Sequence, residues 1–247
     1  MNNEDIIIGR NAVIEALKSG RSINRILIAE GSGGSMLKII ALAKDKGIVI
    51  NNAPRDRIDK LVKGQNHQGV IAYAAPVEYS TLDEILEIAQ SKNEPPLLML
   101  LDELEDPHNF GALLRSADAV GVDGVLIPKR RSVQLNSTVA KTSAGAVEYV
   151  KVTQINNTAQ TIRQLKDLGF TIIGSDVDGS QIYYEADLTG AVVLVIGSEG
   201  KGMRRLTREN CDLLVNIPMI GKINSLNASA AGAVLLYEIF RQRSHKK

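Results

Sequence analysis

The sequence predicts an α/β protein in two parts: a small α/β/α unit, then a larger one built on a mostly parallel sheet with helices on both faces. Three observations predict it. The later strand candidates, LLMLL, GVLIP and AVVLVIG, are apolar throughout, as strands buried on both faces must be. Helical patterns separate them, which is the order of parallel crossovers. At 247 residues, 44% apolar and 23% charged, the chain has room for two small domains or one large one, and its composition is that of an ordinary folded protein.

The elements follow from apolar periodicity. In the first part these are a helix in GRNAVIEALKSG, a strand in INRILIAE, a helix in SMLKIIALAKDKG, a strand in GIVINN, a helix in RDRIDKLVKG and a strand in QGVIAYAA. Gly20, Gly47 and Gly64 stand where these helices should stop. This domain spans residues 1–75. Residues 76–96 read as a linker with one acidic helix, capped by Ser80 or Thr81 and ended by Pro95-Pro96.

Residues 97–247 form the second domain. LLMLL leads into a helix from about Asn109 to Val120, then the strand GVLIP and a helical stretch around STVAKTSAGA. The helix NNTAQTIRQLKDLG, the strands FTIIGS and AVVLVIG, a short helix, the strand LLVNIP and a long helix from about Leu226 to Arg241 complete it. No internal repeat or low-complexity tract stands out.

Several classes are excluded by composition. A single cysteine, Cys211, rules out an internal disulfide and any multi-cysteine metal site, and His67, His108 and His245 have no ligand spacing. We therefore expect no metal and a reducing compartment. No apolar run approaches the roughly 20 residues that cross a bilayer, and the acidic start MNNEDIIIGRNAV lacks the basic flank of a signal peptide, so a cytoplasmic location and no membrane partner are expected. The net charge of +1 conceals a split: residues 1–75 carry 11 basic and 7 acidic groups, 76–106 carry 1 and 9, and 107–247 carry 17 and 12. Charges are screened beyond about 8–10 Å, so two mildly basic lobes remain compatible with RNA.

In an open parallel sheet, ligands bind beyond the carboxyl ends of the strands. The three segments leaving LLMLL, AVVLVIG and LLVNIP are unusual there. DELEDPHNFGALLRSADAVG sets Asn109 at a helix start and Arg115 about a turn and a half further along a helix of mostly small or apolar residues. Asn109 could simply be an N-cap, and Arg115 could pair with Asp118. GSEGKGMRRL places Gly197, Gly200 and Gly202 around Glu199, which lets backbone approach a ligand; it could equally be a strand-to-helix turn with Glu199 favouring the helix N-terminus. It matches neither the P-loop nor the dinucleotide pattern. IPMIGKINSLNASAAGAVLLYEIF gathers Asn224, Ser225, Asn227 and Ser229 at a helix mouth where one cap would suffice.

Together, Asn109 to Arg115, GSEGKG at 197–202 and IPMIGKINSLNAS at 217–229 resemble the three motifs of the SpoU/TrmH family of SPOUT RNA 2'-O-methyltransferases. The first 75 residues, with NHQGV at 66–70 near their end, resemble the RNA substrate-binding domain that precedes the catalytic one in the family's rRNA guanosine 2'-O-methyltransferases, and that is similar to RNA-binding ribosomal proteins. The resemblance implies S-adenosyl-L-methionine as methyl donor, a C-terminal trefoil knot and an active site completed across a homodimer. By motif position it implies that Gly197, Ile217 and Leu226 line the cofactor. Asn109, Arg115, Glu199, Ser225 and Asn227 would form the catalytic set.

The chemistry adds its own constraint. Removing a proton from a weakly acidic ribose hydroxyl makes positioning and oxyanion stabilisation dominant. An arginine is effectively always protonated, so Arg115 is read as stabilising the alkoxide and binding the neighbouring phosphate. Arg10, Arg21, Arg25, Lys129, Arg130 and Arg131 are candidate phosphate contacts, weighed against ordinary solvated charge. With 4% aromatic residues and no Trp, recognition of folded RNA is favoured over a stacking platform. The alternatives are a tRNA methyltransferase of the same family, a noncatalytic RNA-binding or ribosome-assembly protein, and a Rossmann-type enzyme using GSGGS at 31–35, where Met36 stands in place of the required glycine.

Overall fold

The computed structural model describes residues 4–34 and 36–244; Ser35 of the GSGGS cluster and His245 lie outside the described residues. The chain divides into two compact units, one comprising the chain up to Glu78 with Leu135–Tyr149, the other Tyr79–Gln134 with the chain from Val150 onward.

The first unit holds strands β1 (Asp5–Ile8), β2 (Ile23–Ala29), β3 (Val49–Ala53) and β4 (Val70–Ala74) in the order β1-β4-β2-β3. Only the β2–β3 pairing is parallel. Helices α1 (Arg10–Ser19) and α2 (Met36–Asp45) bury Val13, Leu17 and Ile39 against Ile7, Ile26 and Val70. Helix α3 (Arg55–Leu61) buries Ile58 in a second cluster with Ile8, Leu27 and Ile71. The segment 135–149 carries α6 (Ser137–Thr142) and belongs with this unit, although it follows GVLIP in sequence. Arg21 fastens it: the guanidinium donates to Glu148 (2.8 Å), Asp5 (2.8 Å) and the Ala75 carbonyl (2.8 Å) and is only 7% exposed. That burial corrects the reading of Arg21 as a phosphate contact. His67 is likewise structural: it is buried, its Nδ1 accepts from the Gly69 amide (3.1 Å) and its Nε2 meets Asp59 (3.1 Å).

In the second unit every pairing of the seven-stranded sheet is parallel. Its strands are β5 (Leu97–Asp102), β6 (Gly124–Pro128), β7 (Val152–Ile155), β8 (Thr171–Ser175), β9 (Gln181–Ile182), β10 (Val192–Gly197) and β11 (Leu213–Asn216). The order is β7-β6-β5-β10-β8-β11-β9. The chain lays β6 and β7 on one side of β5, then crosses to place β8 on the other, and β10 fills the position between β5 and β8. The direction of winding therefore changes at β5 and β10, the place where parallel sheets open a crevice.

Of residues 76–96, expected as a linker, those from Tyr79 onward are grouped with this unit. Thr81 and Glu84 form a reciprocal capping box on α4 (Leu82–Ser91), and Ile85 is fully buried against Leu98, Leu100 and Leu126. Any side chain at Gly124 would meet Ile85 Cγ2 at 2.4 Å, so the bare backbone of β6 is what admits the helix. Helix α7 (Thr158–Asp167) joins the same core through Ile162 and Leu165. Helix α5 (Pro107–Val120) packs against α9 (Ala228–Ser244), where a Cβ on Gly232 would meet Leu113 at 2.4 Å.

Candidate active site

The crevice is shaped by what leaves β5 and β10. Asp106, not Asn109, caps α5: its carboxylate accepts from the His108 (3.0 Å) and Asn109 (3.3 Å) amides, and Pro107 occupies the first helical position. Asn109 is thus left buried in the first turn with its own side chain free for another partner.

After β10 the chain folds back on itself. Ser198 and Gly202 exchange two backbone hydrogen bonds of 3.0 Å, and Gly200 and Gly202 have φ of +80° and +66°. A Cβ on Gly197 would lie 2.3 Å from backbone atoms of Gly202 and Met203, so only glycine permits this closure. The segment is therefore a closed loop, and Glu199 reaches across it rather than serving the start of α8 (Arg205–Glu209). Its Oε1 accepts from Asn109 Nδ2 at 2.7 Å and also from Asn227 Nδ2.

Asn227 has a second task. Its Oδ1 accepts from the Ser229 amide (2.9 Å), the Ser229 hydroxyl (2.6 Å) and the Ala230 amide (3.3 Å), so it caps α9 while its amide nitrogen holds Glu199. One carboxylate oxygen thereby joins the three loops that follow β5, β10 and β11.

Beside this junction lies a cavity of about 430 Å³. Gly197, Ile217 and Leu226 all line it, as do Glu199 and Ser225. Its charged lining is Asp176, Asp178 and Glu199 with Lys201 and Arg208, Arg208 being paired with Asp176 at 2.7 Å. Arg115 is absent from the lining. It is exposed on α5, six residues beyond Asn109 and so on a different helix face, and forms no ion pair among the described residues.

Sequence reasoning missed the pair that anchors the glycine loop. Asp102, the last residue of β5, is 0% exposed and sits opposite Gly197 in the ladder. Its carboxylate accepts from the Arg204 backbone amide (2.8 Å), Nε (2.9 Å) and Nη2 (2.6 Å). Arg204 Nη2 also donates to Thr158 at the start of α7 (2.7 Å). Both ends of the loop are thus fixed to the same residue, one through the ladder and one through a charge-assisted fork. The order Asp…Arg was visible, but a separation of 102 residues gave no signal of contact.

Other charged candidates are distributed as follows. Arg10 Nε donates to the Gln68 carbonyl at 2.8 Å, and the Arg25 guanidinium lies 4.1 Å from the centre of the Tyr73 ring. Lys129 and Arg130 are exposed after β6, while Arg131 Nη1 is 3.8 Å from Glu103. Cys211 is mostly enclosed, and burial pushes its thiol up to about 12, which keeps it a protonated packing group. Among the described residues no group of three or more His, Cys, Asp or Glu is placed to hold a metal ion, and no helix is long and apolar enough to cross a membrane.

Comparison with known proteins extends this geometry. The model of the SpoU rRNA Methylase family matches residues 96–237, and that of the RNA 2'-O ribose methyltransferase substrate-binding domain matches residues 6–80. YacO of Bacillus subtilis, named for the TrmH family of tRNA/rRNA methyltransferases, is 48% identical over 97% of this chain and 96% of its own. A solved RNA 2'-O ribose methyltransferase is 28% identical with a TM-score of 0.82, covering 98% of this chain and 89% of that one. The SpoU methyltransferase AviRb of Streptomyces viridochromogenes, solved with AdoMet, shares the fold at 24% identity, a TM-score of 0.82, and coverage of 98% and 91%. The TrmH/SpoU tRNA-modifying enzyme of A. aeolicus, 29% identical with a TM-score of 0.57, covers 66% of this chain and 84% of its own.

Proposed function

The chain belongs to the SpoU rRNA Methylase family, and on that premise we propose that it uses S-adenosyl-L-methionine to methylate a ribose 2'-hydroxyl in structured RNA, a guanosine of large-subunit rRNA. The observation that carries the reading is the shared Glu199 oxygen, which holds the Asn109 and Asn227 loops together beside the cavity lined by Gly197, Ile217 and Leu226. The preference for rRNA over tRNA is supported by the N-terminal match over 6–80 and by the limited span of the likeness to the tRNA-modifying enzyme.

The residues fit the cofactor. A volume of about 430 Å³ lies in the range of small-molecule sites, roughly 300–1,000 Å³. Ile196, Ile217 and Leu226 offer apolar contacts for an adenosyl group, while Asp178 and Glu199 offset positive charge on a sulfonium and an ammonium. When bound, the cofactor supplies an electrophilic methyl group on a sulfonium. The protein's share is to align the hydroxyl with that methyl and to stabilise the oxygen as its proton leaves. Glu199, fixed from both sides, orients the ribose together with Asn109, and Ser225 and Asn227 hold the loop beneath it. Arg115 acts from the partner subunit of a homodimer, stabilising the developing alkoxide and binding the adjacent phosphate. This assignment accounts for its exposure on α5 away from its own cavity. Half-exposed Tyr237 and Phe240 on α9 provide apolar surface for such a partner. The C-terminal segments are read as the family's trefoil knot.

Calorimetry with S-adenosylhomocysteine, combined with ribose-methylation mapping on large-subunit rRNA and tRNA transcripts, tests the reading. Wild type should bind the ligand, Asn227→Ala should weaken it, and Arg115→Ala should abolish transfer while leaving ligand affinity within a few-fold. Absence of binding to wild type would overturn the enzyme assignment, and equal loss of binding and transfer in Arg115→Ala would return Arg115 to a structural role.

A further inference from the structure

A second open groove, of about 460 Å³, lies in the same unit where β6 and β7 end. Its walls are the segment 79–82, Lys129, the end of β7 and the first two turns of α7. The two concavities differ in charge. The first mixes the carboxylates of Asp176, Asp178 and Glu199 with Lys201 and Arg208; the second is lined by Lys129 and no carboxylate among the described residues. Lys129 itself forms no ion pair among the described residues, and exposed Arg130 follows it.

The uncharged part of the wall is rich in side-chain amides. Gln134 organises one side: its Oε1 accepts from the Tyr79 hydroxyl (3.2 Å) and from Gln154 Nε2, and its Nε2 donates to the Ser132 carbonyl (2.9 Å). On the other side Gln160 and Gln164 project from α7 at a spacing of four, so they lie on one helix face, one turn apart. Both are exposed, and among the described residues neither side chain has a hydrogen-bond partner. Asn156 adds a third amide of the same kind. A carboxamide presents a donor pair and an acceptor together, the pattern that matches the edge of a base, whereas a lysine offers a point charge for phosphate.

Strands in a sheet are about 4.8 Å apart, so the ends of β6 and β7 lie about one and two strand spacings from the end of β5. Both ends belong to the edge of the sheet from which Asn109 and Glu199 also arise. We propose that this groove binds a ribonucleotide of the substrate flanking the methylated one, with its phosphate on Lys129 and its base edge on Gln160 and Gln164. This rests on the RNA methyltransferase reading and assigns that reading a second RNA contact, in the catalytic unit itself.

Filter binding of the full chain to a large-subunit rRNA transcript across a salt series tests it. Lys129→Gln should reduce the slope of log K against log[salt] by about 0.7–0.9, the loss of one phosphate contact. The double variant Gln160→Ala/Gln164→Ala should weaken binding by about tenfold at every salt concentration and leave the slope unchanged. All variants carry exposed changes and should bind S-adenosylhomocysteine as wild type does. An unchanged slope in the lysine variant or unchanged affinity in the glutamine variant overturns the proposal. A change in slope alone reduces the groove to an unspecific phosphate contact and also overturns it. If wild type methylates RNA yet the variants bind like wild type, the groove alone is wrong. If wild type fails to bind the cofactor analogue, the enzyme reading is wrong, and the salt series still reports on the groove.

Discussion

Replacing Arg204 by leucine removes the guanidinium from Asp102 while leaving a fully buried carboxylate behind. Only the Arg204 backbone amide then remains to hold it, where three donors had done so. Stripping one partner from a buried ion pair costs about 3–5 kcal/mol, whereas exposed pairs contribute about 0–1 kcal/mol. The Arg204 side chain is 40% exposed, so water screens part of the interaction, and the lower end, about 3 kcal/mol, is expected. At about 2–4 °C per kcal/mol for a chain of this size, the melting temperature should fall by about 6–12 °C. Scanning calorimetry measures it. The double variant Asp102→Leu/Arg204→Leu removes the fully buried carboxylate, leaves only the partly exposed Glu103 without Arg204, and should recover much of the loss, because most of the penalty belongs to the stranded Asp102 rather than to the missing attraction. A single-variant loss below about 1 kcal/mol, or a double variant worse than either single, would refute the claim that this pair anchors the glycine loop.

Gly197→Ala places a methyl 2.3 Å from the Gly202 and Met203 backbone, which cannot yield as a side-chain end could. At about 1–3 kcal/mol of strain the loop should open, and calorimetry should find binding of S-adenosylhomocysteine weakened by about tenfold or more; unaltered affinity would detach the cavity from the loop. Acid stability should depend on Glu238. Hydrogen bonds from Arg241 (2.7 and 2.8 Å), then from Gln242, hold its carboxyl below the usual 4.5. Its stabilisation is therefore present above about pH 4.5 and is lost as pH falls through the lower folded value, and melting curves of Glu238→Gln should lack that part of the acid decline.

The strands that sequence reading overlooked are β1, β7 and β9, and each lies at a sheet edge. Strand β7, VTQI, shows why: Thr153 and Gln154 interrupt the apolar run by which β5 and β10 declare themselves, because an edge strand need not be enclosed on every side. The central strands were legible for the opposite reason. The assignment of 135–149 to the first unit had no local sign, since a short helix reads alike whichever core receives it.

The site was legible in its residue types but not in its wiring. Four polar residues at the mouth of α9 exceeded what a cap requires, and the excess resolves into one residue with two outward commitments: Asn227 caps the helix through its oxygen and binds Glu199 through its nitrogen. An aspartate would cap equally well but could not donate, and a lysine could donate but not cap. Asn109 is constrained in a similar way, since Asp106 has already taken the capping role and only a donor can meet Glu199 from the first turn of α5. Two carboxamides facing one carboxylate oxygen thus let three helix and strand termini converge on a single charge.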